Sequence, residues 1–211
     1  YDYVLDNNGI TILNGTEDVE GNYQITFKSG SLTIEKASLV LKVNDQGDIT
    51  YGDKINPDFT PVTMLGTDSV TVTYNVDGVA YDPNVYYGYG THEITIAGYV
   101  ISDGNNGGNY DVSLESDRFS VAQRLLEITA DSSTVTYNGS DQTLTGGTIT
   151  SGSLVAGDTL AVTGSVSGRN VDTYDYVLDN NGITIICDDF DKKSNYIENL
   201  KKNVMKWKLK D

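Results

Sequence analysis

The chain is 211 residues long and acidic: 30 Asp and Glu against 14 Lys and Arg give a formal net charge of −16. Such a charge repels phosphates and anionic headgroups, so nucleic acid is excluded as an expected partner and a membrane surface is disfavoured. A single cysteine, Cys187, excludes a disulfide within the chain, and a single histidine, His92, leaves a zinc site or a Ser-His-Asp triad almost nothing to build from.

Residues 1–12 read YDYVLDNNGITI, and residues 174–185 repeat the string unchanged, 173 positions later. A shorter period lies inside that one. GNYQIT at 21–26 returns as GNYDVS at 108–113, and ITYGD at 49–53 returns as VTYNG at 135–139, which sets a unit of 86–87 residues. In this register residues 1–36 are the back part of one unit, 37–123 a complete unit, and 124–186 the front part of a third. Residues 124–186 then need the strands that residues 13–36 carry, either within one chain or between chains in a head-to-tail filament.

Period-two alternation predicts strands throughout 1–186. YQITFK places Tyr23, Ile25 and Phe27 on one face, and SLTIEK does the same with Leu32 and Ile34. SVTVTYNV places Val70, Val72, Tyr74 and Val76 together, HEITIAGYV alternates through Ile94 and Ile96, and LEITA and STVTY give two more strands. Alternation on one face predicts antiparallel sheets with a wet side. The runs are separated by DNNG, VDG, DGNNGG and NGSD, whose Asn-Gly and Asp-Gly steps supply the positive φ of tight hairpins. No run approaches the ~18 apolar residues of a membrane helix, and no signal-peptide pattern is present.

Candidate binding chemistry is sparse. Tyr81, Tyr86, Tyr87 and Tyr89 cluster in VAYDPNVYYGYGTHE, where interleaved Gly and Asn resemble the adaptable aromatic surfaces of binding loops. That cluster is the candidate ligand site, for a glycan or a host or matrix protein. The Asp103–Asp111 stretch has the look of a calcium loop but lacks a closing bidentate Glu, so a hairpin turn is the better reading. Lys42 on the first strand of the complete unit is the natural candidate for an intramolecular isopeptide bond, with no evident Asn partner. Carboxylates are plentiful, but short strands and turns point to no cleft that would hold a catalytic pair. No catalytic residue, metal or cofactor is expected.

From Cys187 the composition changes: 187–211 carries a net charge of +2, against −18 for 1–186, and none of the 22 Gly. Ile197, Leu200, Val204 and Trp207 follow a 3–4 spacing that predicts a short amphipathic helix. Three readings stand for this tail: a foreign end without function, a peptide that docks on the last unit, or a basic helix on a membrane surface.

TYGD at 50–53, followed by Pro57 and Asp58-Phe59-Thr60, resembles the front of the MBG repeats (the YGX type) of bacterial cell-surface adhesins, and GNYQITFKSGSLTIEKA at 21–37 is similar to their closing strands. GNYDVSLESDRFSVAQR at 108–124 follows the pattern with Asp117-Arg118 in place of Gly-Ser. The resemblance implies an all-β, mostly antiparallel fold of tandem β-grasp-like or immunoglobulin-like domains, an extracellular place on the cell surface or wall, and no catalysis. On this reading the chain is a structural spacer whose partners are neighbouring repeat units of the same protein. An adhesive module or a self-associating filament subunit are the alternatives.

Overall fold

The computed structural model describes residues 1–3, 10–188, 190–201 and 203–208, and the side chains of residues 1, 10–188 and 190–196. The fold is all-β and mostly antiparallel. No α-helix occurs among the described residues.

The N-terminal segment holds only two-residue pairings. β1 (Asp2–Tyr3) meets β4 (Gly30–Ser31), and β2 (Leu13–Asn14) forms a hairpin with β3 (Glu17–Asp18). The strand expected over 23–28 does not form, and of the one expected over 31–36 only Ser31 is paired. Tyr23, Leu32 and Ile34 stay exposed, so their alternation has no sheet to face.

From Ala37 the chain builds a sandwich of two layers. β5 (Ala37–Lys42) lies parallel to β10 (Tyr110–Glu115). The other layer is ordered β6 (Ile49–Thr50), β11 (Asp117–Ala122), β9 (Gly90–Ser102), β7 (Ser69–Val76), β8 (Val79–Ala80). β7 and β9 are strands expected from their alternation and pair antiparallel, with a bulge where Thr73 opposes Gly98 and Tyr74 opposes Ile96. Gly98 leaves room there for Thr73, whose Oγ1 donates to the Gly98 carbonyl. Leu39, Leu41, Ile101 and Tyr110 form the core between the layers.

The second unit repeats the pairing plan of the first. They run β12 (Arg124–Ala130), β13 (Thr134–Thr136), β14 (Gln142–Thr145), β15 (Gly147–Ser151), β16 (Thr159–Val162), β17 (Ser165–Gly168), β18 (Thr173–Tyr176), β19 (Ile183–Cys187), β20 (Phe190–Asp191), β21 (Tyr196–Lys201) and β22 (Asn203–Lys208). β12 is parallel to β21, as β5 is to β10. β22 is parallel to β13 and antiparallel to β18, as β11 is to β6 and β9. The registers correspond: Val121 opposes Ile49, and 86 residues on, Trp207 opposes Val135.

This corrects two expectations. The tail is not helical; its last two strands close the second unit. Residues 13–36 of the same chain do not complete 124–186, because β21 already occupies the edge of β12 that they would need. The 3–4 apolar spacing misleads because strand alternation breaks down in a short run with adjacent Lys pairs, and cross-strand partners override it. Leu126, Ile128 and Ile185 are fully buried in this unit and join Val43, Ile94 and Val121 of the first in one continuous core. Each contributes roughly 1.5–3 kcal/mol by burial.

Candidate functional site

The two closing strands are anchored by the same device. Each begins at the tyrosine of an Asn-Tyr step, Asn109-Tyr110 for β10 and Asn195-Tyr196 for β21. Tyr110 donates its phenol proton to Asp68 Oδ2 at 2.7 Å and accepts the Leu65 N–H at 3.1 Å. Tyr196 donates to Asp158 Oδ2 at 2.6 Å and accepts the Val155 N–H at 2.9 Å. Both aspartates close a turn in which their own N–H donates three residues back, Asp68 to Leu65 and Asp158 to Val155, each at 3.0 Å. The phenol thus ties the closing strand to a turn on the opposite side of the unit through one neutral and one charge-assisted hydrogen bond. We call this arrangement the tyrosine latch.

At the second latch the first unit joins in. Tyr51, from the Thr-Tyr-Gly-Asp turn, donates to the same Asp158 Oδ2 at 3.0 Å and meets the Tyr196 ring edge-on, centroids 5.4 Å apart. Its carbonyl accepts from Arg124 Nη1 at 3.0 Å, and its N–H donates to the Ala122 carbonyl at 2.9 Å. Asp53 holds the turn: its carboxylate accepts the Thr50 N–H. Gly52 is required there, because φ is +97° and a Cβ would stand 2.5 Å from Val155 Cγ2. The buried Asn195 accepts the Tyr89 N–H at 2.7 Å, and Gln123 donates to the Ser194 carbonyl. Gln123 is the single residue between β11 and β12.

Burial, then the hydrogen bond and charge of Asp158, push both Tyr51 and Tyr196 far above the usual phenol range. Tyr110 is raised in the same direction, chiefly by its bond to Asp68. Phenols held neutral suit a structural joint, since none of them would supply a phenolate near neutral pH.

The tyrosines singled out from the sequence are split by the fold. Tyr81, Tyr86 and Tyr87 pack half-buried against the core. Tyr81 donates to the Ile55 carbonyl, Tyr86 carries the Lys54 ammonium 3.4 Å over its ring, and Tyr87 meets Phe119 edge-on. Tyr89 is 58% exposed and its ring is open to solvent. His92 stacks on Phe119, with Nδ1 2.7 Å from Asp77 Oδ2 and Nε2 2.8 Å from the Gly88 carbonyl. Asp103 accepts the N–H groups of Asn105, Gly107 and Asn109, which is the bonding of a tight turn. Lys42 pairs with Glu115 across the parallel ladder at 3.7 Å, both side chains half-exposed.

Among the described residues no three His, Cys, Asp or Glu side chains gather in a metal-binding group. A groove of about 630 Å³ runs past Asp58, Phe59, Met64 and Asp68.

The latch tyrosines Tyr51, Tyr110 and Tyr196 are not among the site residues expected from the sequence. The signal was present: Asn-Tyr recurs at 22–23, 109–110 and 195–196, and Leu65-Gly-Thr-Asp68 parallels Val155-Ala-Gly-Asp158. A comparison with known protein families finds no match to this chain. A comparison with curated proteins finds none either.

Proposed function

We propose that the chain is a non-catalytic spacer, a run of tandem repeats of the MBG kind in an extracellular microbial surface protein, which holds successive units in a fixed relation. The joint is the observation that carries this reading. A single residue links β11 to β12, and the neighbouring units share a core, an aspartate and an aromatic pair. Flexible linkers let domains move independently; a linker this short, with a buried apolar interface, does not. The acidic surface supports solubility of a long array.

Relaxation measurements on the isotopically labelled full chain test the proposal. Residues 37–123 and 124–208 are expected to tumble with one correlation time, and Tyr51→Ala is expected to separate them. Independent tumbling of the two units in the unmutated chain overturns the spacer reading. Saturable binding to a glycan array that is lost in Tyr89→Ala would replace it with the adhesive one.

A further inference from the structure

The first unit carries a latch like the second, yet no tyrosine turn among the described residues sits on it. A groove of about 300 Å³ opens beside Asp68 and Tyr110, walled by Ile34–Ala37 and Leu65 as well as Gly108 and Asn109. The groups around it have counterparts in the filled joint. By repeat register Glu35 and Ala37 stand where Ala122 and Arg124 do, and Tyr110 where Tyr196 does. Leu65 and Asp68 bond Tyr110 as Val155 and Asp158 bond Tyr196. Those five counterparts are the groups that hold the Tyr51-Gly52 turn, by the Ala122 carbonyl of its own unit and, from the second unit, the Arg124 guanidinium, the Val155 methyls, the Asp158 carboxylate and the Tyr196 ring.

We propose that this groove is the seat for the Thr-Tyr-Gly turn of a further repeat unit of the same kind, standing immediately ahead of Ala37, with its phenol donating to Asp68. The occupant is fixed by the filled joint. There the tyrosine comes from the unit whose closing strand, β11, forms one wall of the seat. At the empty seat that wall is residues 34–36, so the tyrosine belongs to the unit that residues 21–36 close. The exposed Tyr23, Leu32 and Ile34 are the face that such a unit would cover. One contact is missing: Ala37 has no guanidinium to offer the incoming carbonyl, so this joint is the weaker of the two. The inference rests on the spacer reading and adds the residue that makes each joint.

The test restores the unit. Placing a copy of residues 124–173 before Tyr1 continues the natural register, because 1–12 duplicates 174–185. In that copy N138G and G139D recreate the Thr-Tyr-Gly-Asp turn. Amide hydrogen exchange at Leu65, Asp68 and Tyr110 is expected to slow by about tenfold relative to the 211-residue chain. Tyr→Ala at the added copy of Tyr137 is expected to restore the original rates. Equal rates with and without that tyrosine overturn the proposal. Should the added unit fail to fold, the labelled 211-residue chain is titrated with the blocked peptide Ile-Thr-Tyr-Gly-Asp-Lys. Saturating shifts at the same three amides, absent with the Tyr→Ala peptide, support the seat, and no saturating shift there overturns it. If the seat fails while 37–123 and 124–208 still tumble as one body, the spacer reading stands without it.

Discussion

Tyr51 and Tyr196 belong to different repeat units and donate their phenol protons to the same oxygen of Asp158, with their rings at 82° to each other. The relationship makes one carboxylate serve two purposes. It closes the second unit through Tyr196 and fixes the first unit against it through Tyr51. An edge-on aromatic pair adds ~0.5–1.5 kcal/mol beyond area burial.

Removing the latch phenol separates its two purposes. Tyr196→Phe leaves the Val155 N–H without an acceptor, and thermal or urea unfolding is expected to show a loss of roughly 1–3 kcal/mol. Tyr110→Phe is expected to destabilise in the same direction. Tyr23→Phe, at a side chain 60% exposed, is expected to change stability by less than ~0.5 kcal/mol.

The latch makes the protein sensitive to alkali. Tyr51, Tyr110 and Tyr196 hold their protons above the ordinary phenol value of about 10, and burial pushes Tyr74 up to about 12. A raised acid pKa contributes stability that is fully present below the unfolded value and is lost as pH rises through the folded one. The melting temperature is therefore expected to fall steadily above pH 10, with phenolate absorbance appearing together with unfolding. Free titration of all 15 tyrosines near pH 10 in the folded protein would contradict this.

Two glycines separate backbone freedom from packing. Gly52 and Gly139 both have positive φ, at +97° and +82°, but only at Gly52 would a Cβ meet the next unit. Gly139→Ala is expected to cost about 1–2 kcal/mol, from the backbone alone. Gly52→Ala adds overpacking against Val155, roughly 1–3 kcal/mol more. Its further sign is loss of common tumbling between the units.

Asp117 stands where the repeat has Gly30, and its Oδ2 is the one buried side-chain polar atom among the described residues with no hydrogen-bond partner. An unsatisfied buried oxygen costs ~1–3 kcal/mol. Asp117→Thr, which suits the strand and drops the charge, is expected to raise the midpoint of urea unfolding.

Truncation after Ile186 removes β20, β21 and β22 and with them Tyr196. Residues 124–186 are expected to lose cooperative unfolding and protection from proteolysis, while 37–123 keeps both. An unchanged melting profile would return the tail to the status of a foreign end.

Much of the fold was legible in the residues. Alternation placed β7, β9 and β12, and the Asn-Gly and Asp-Gly steps placed their turns, because period and φ preference are properties of a short stretch. The repeat length was legible too, and with it the equivalence of Tyr110 to Tyr23. The latch was not, since Asp68 lies 42 residues and Asp158 38 residues from its tyrosine. Helical spacing in the tail misled for the same reason: its strands are decided by β12, β13 and β18, far away in sequence.

The chain contains its own control for the division between local and tertiary causes. Residues 13–18 and 186–191 form the same hairpin in the same register, with Leu13 opposite Asp18 and Ile186 opposite Asp191, although between them only Asp18 and Asp191 are identical. A three-residue 3₁₀ turn and an Asn-Tyr step follow in both. Sequence alone determined that much, because turn geometry is settled by neighbours. Tyr23 is then 60% exposed and Tyr196 4%. What differs is the company each keeps: β12 and the Val155–Asp158 turn stand against Tyr196, and no counterpart among the described residues stands against Tyr23. Burial, the latch and the joint are properties of that encounter, and only the tertiary structure decides it.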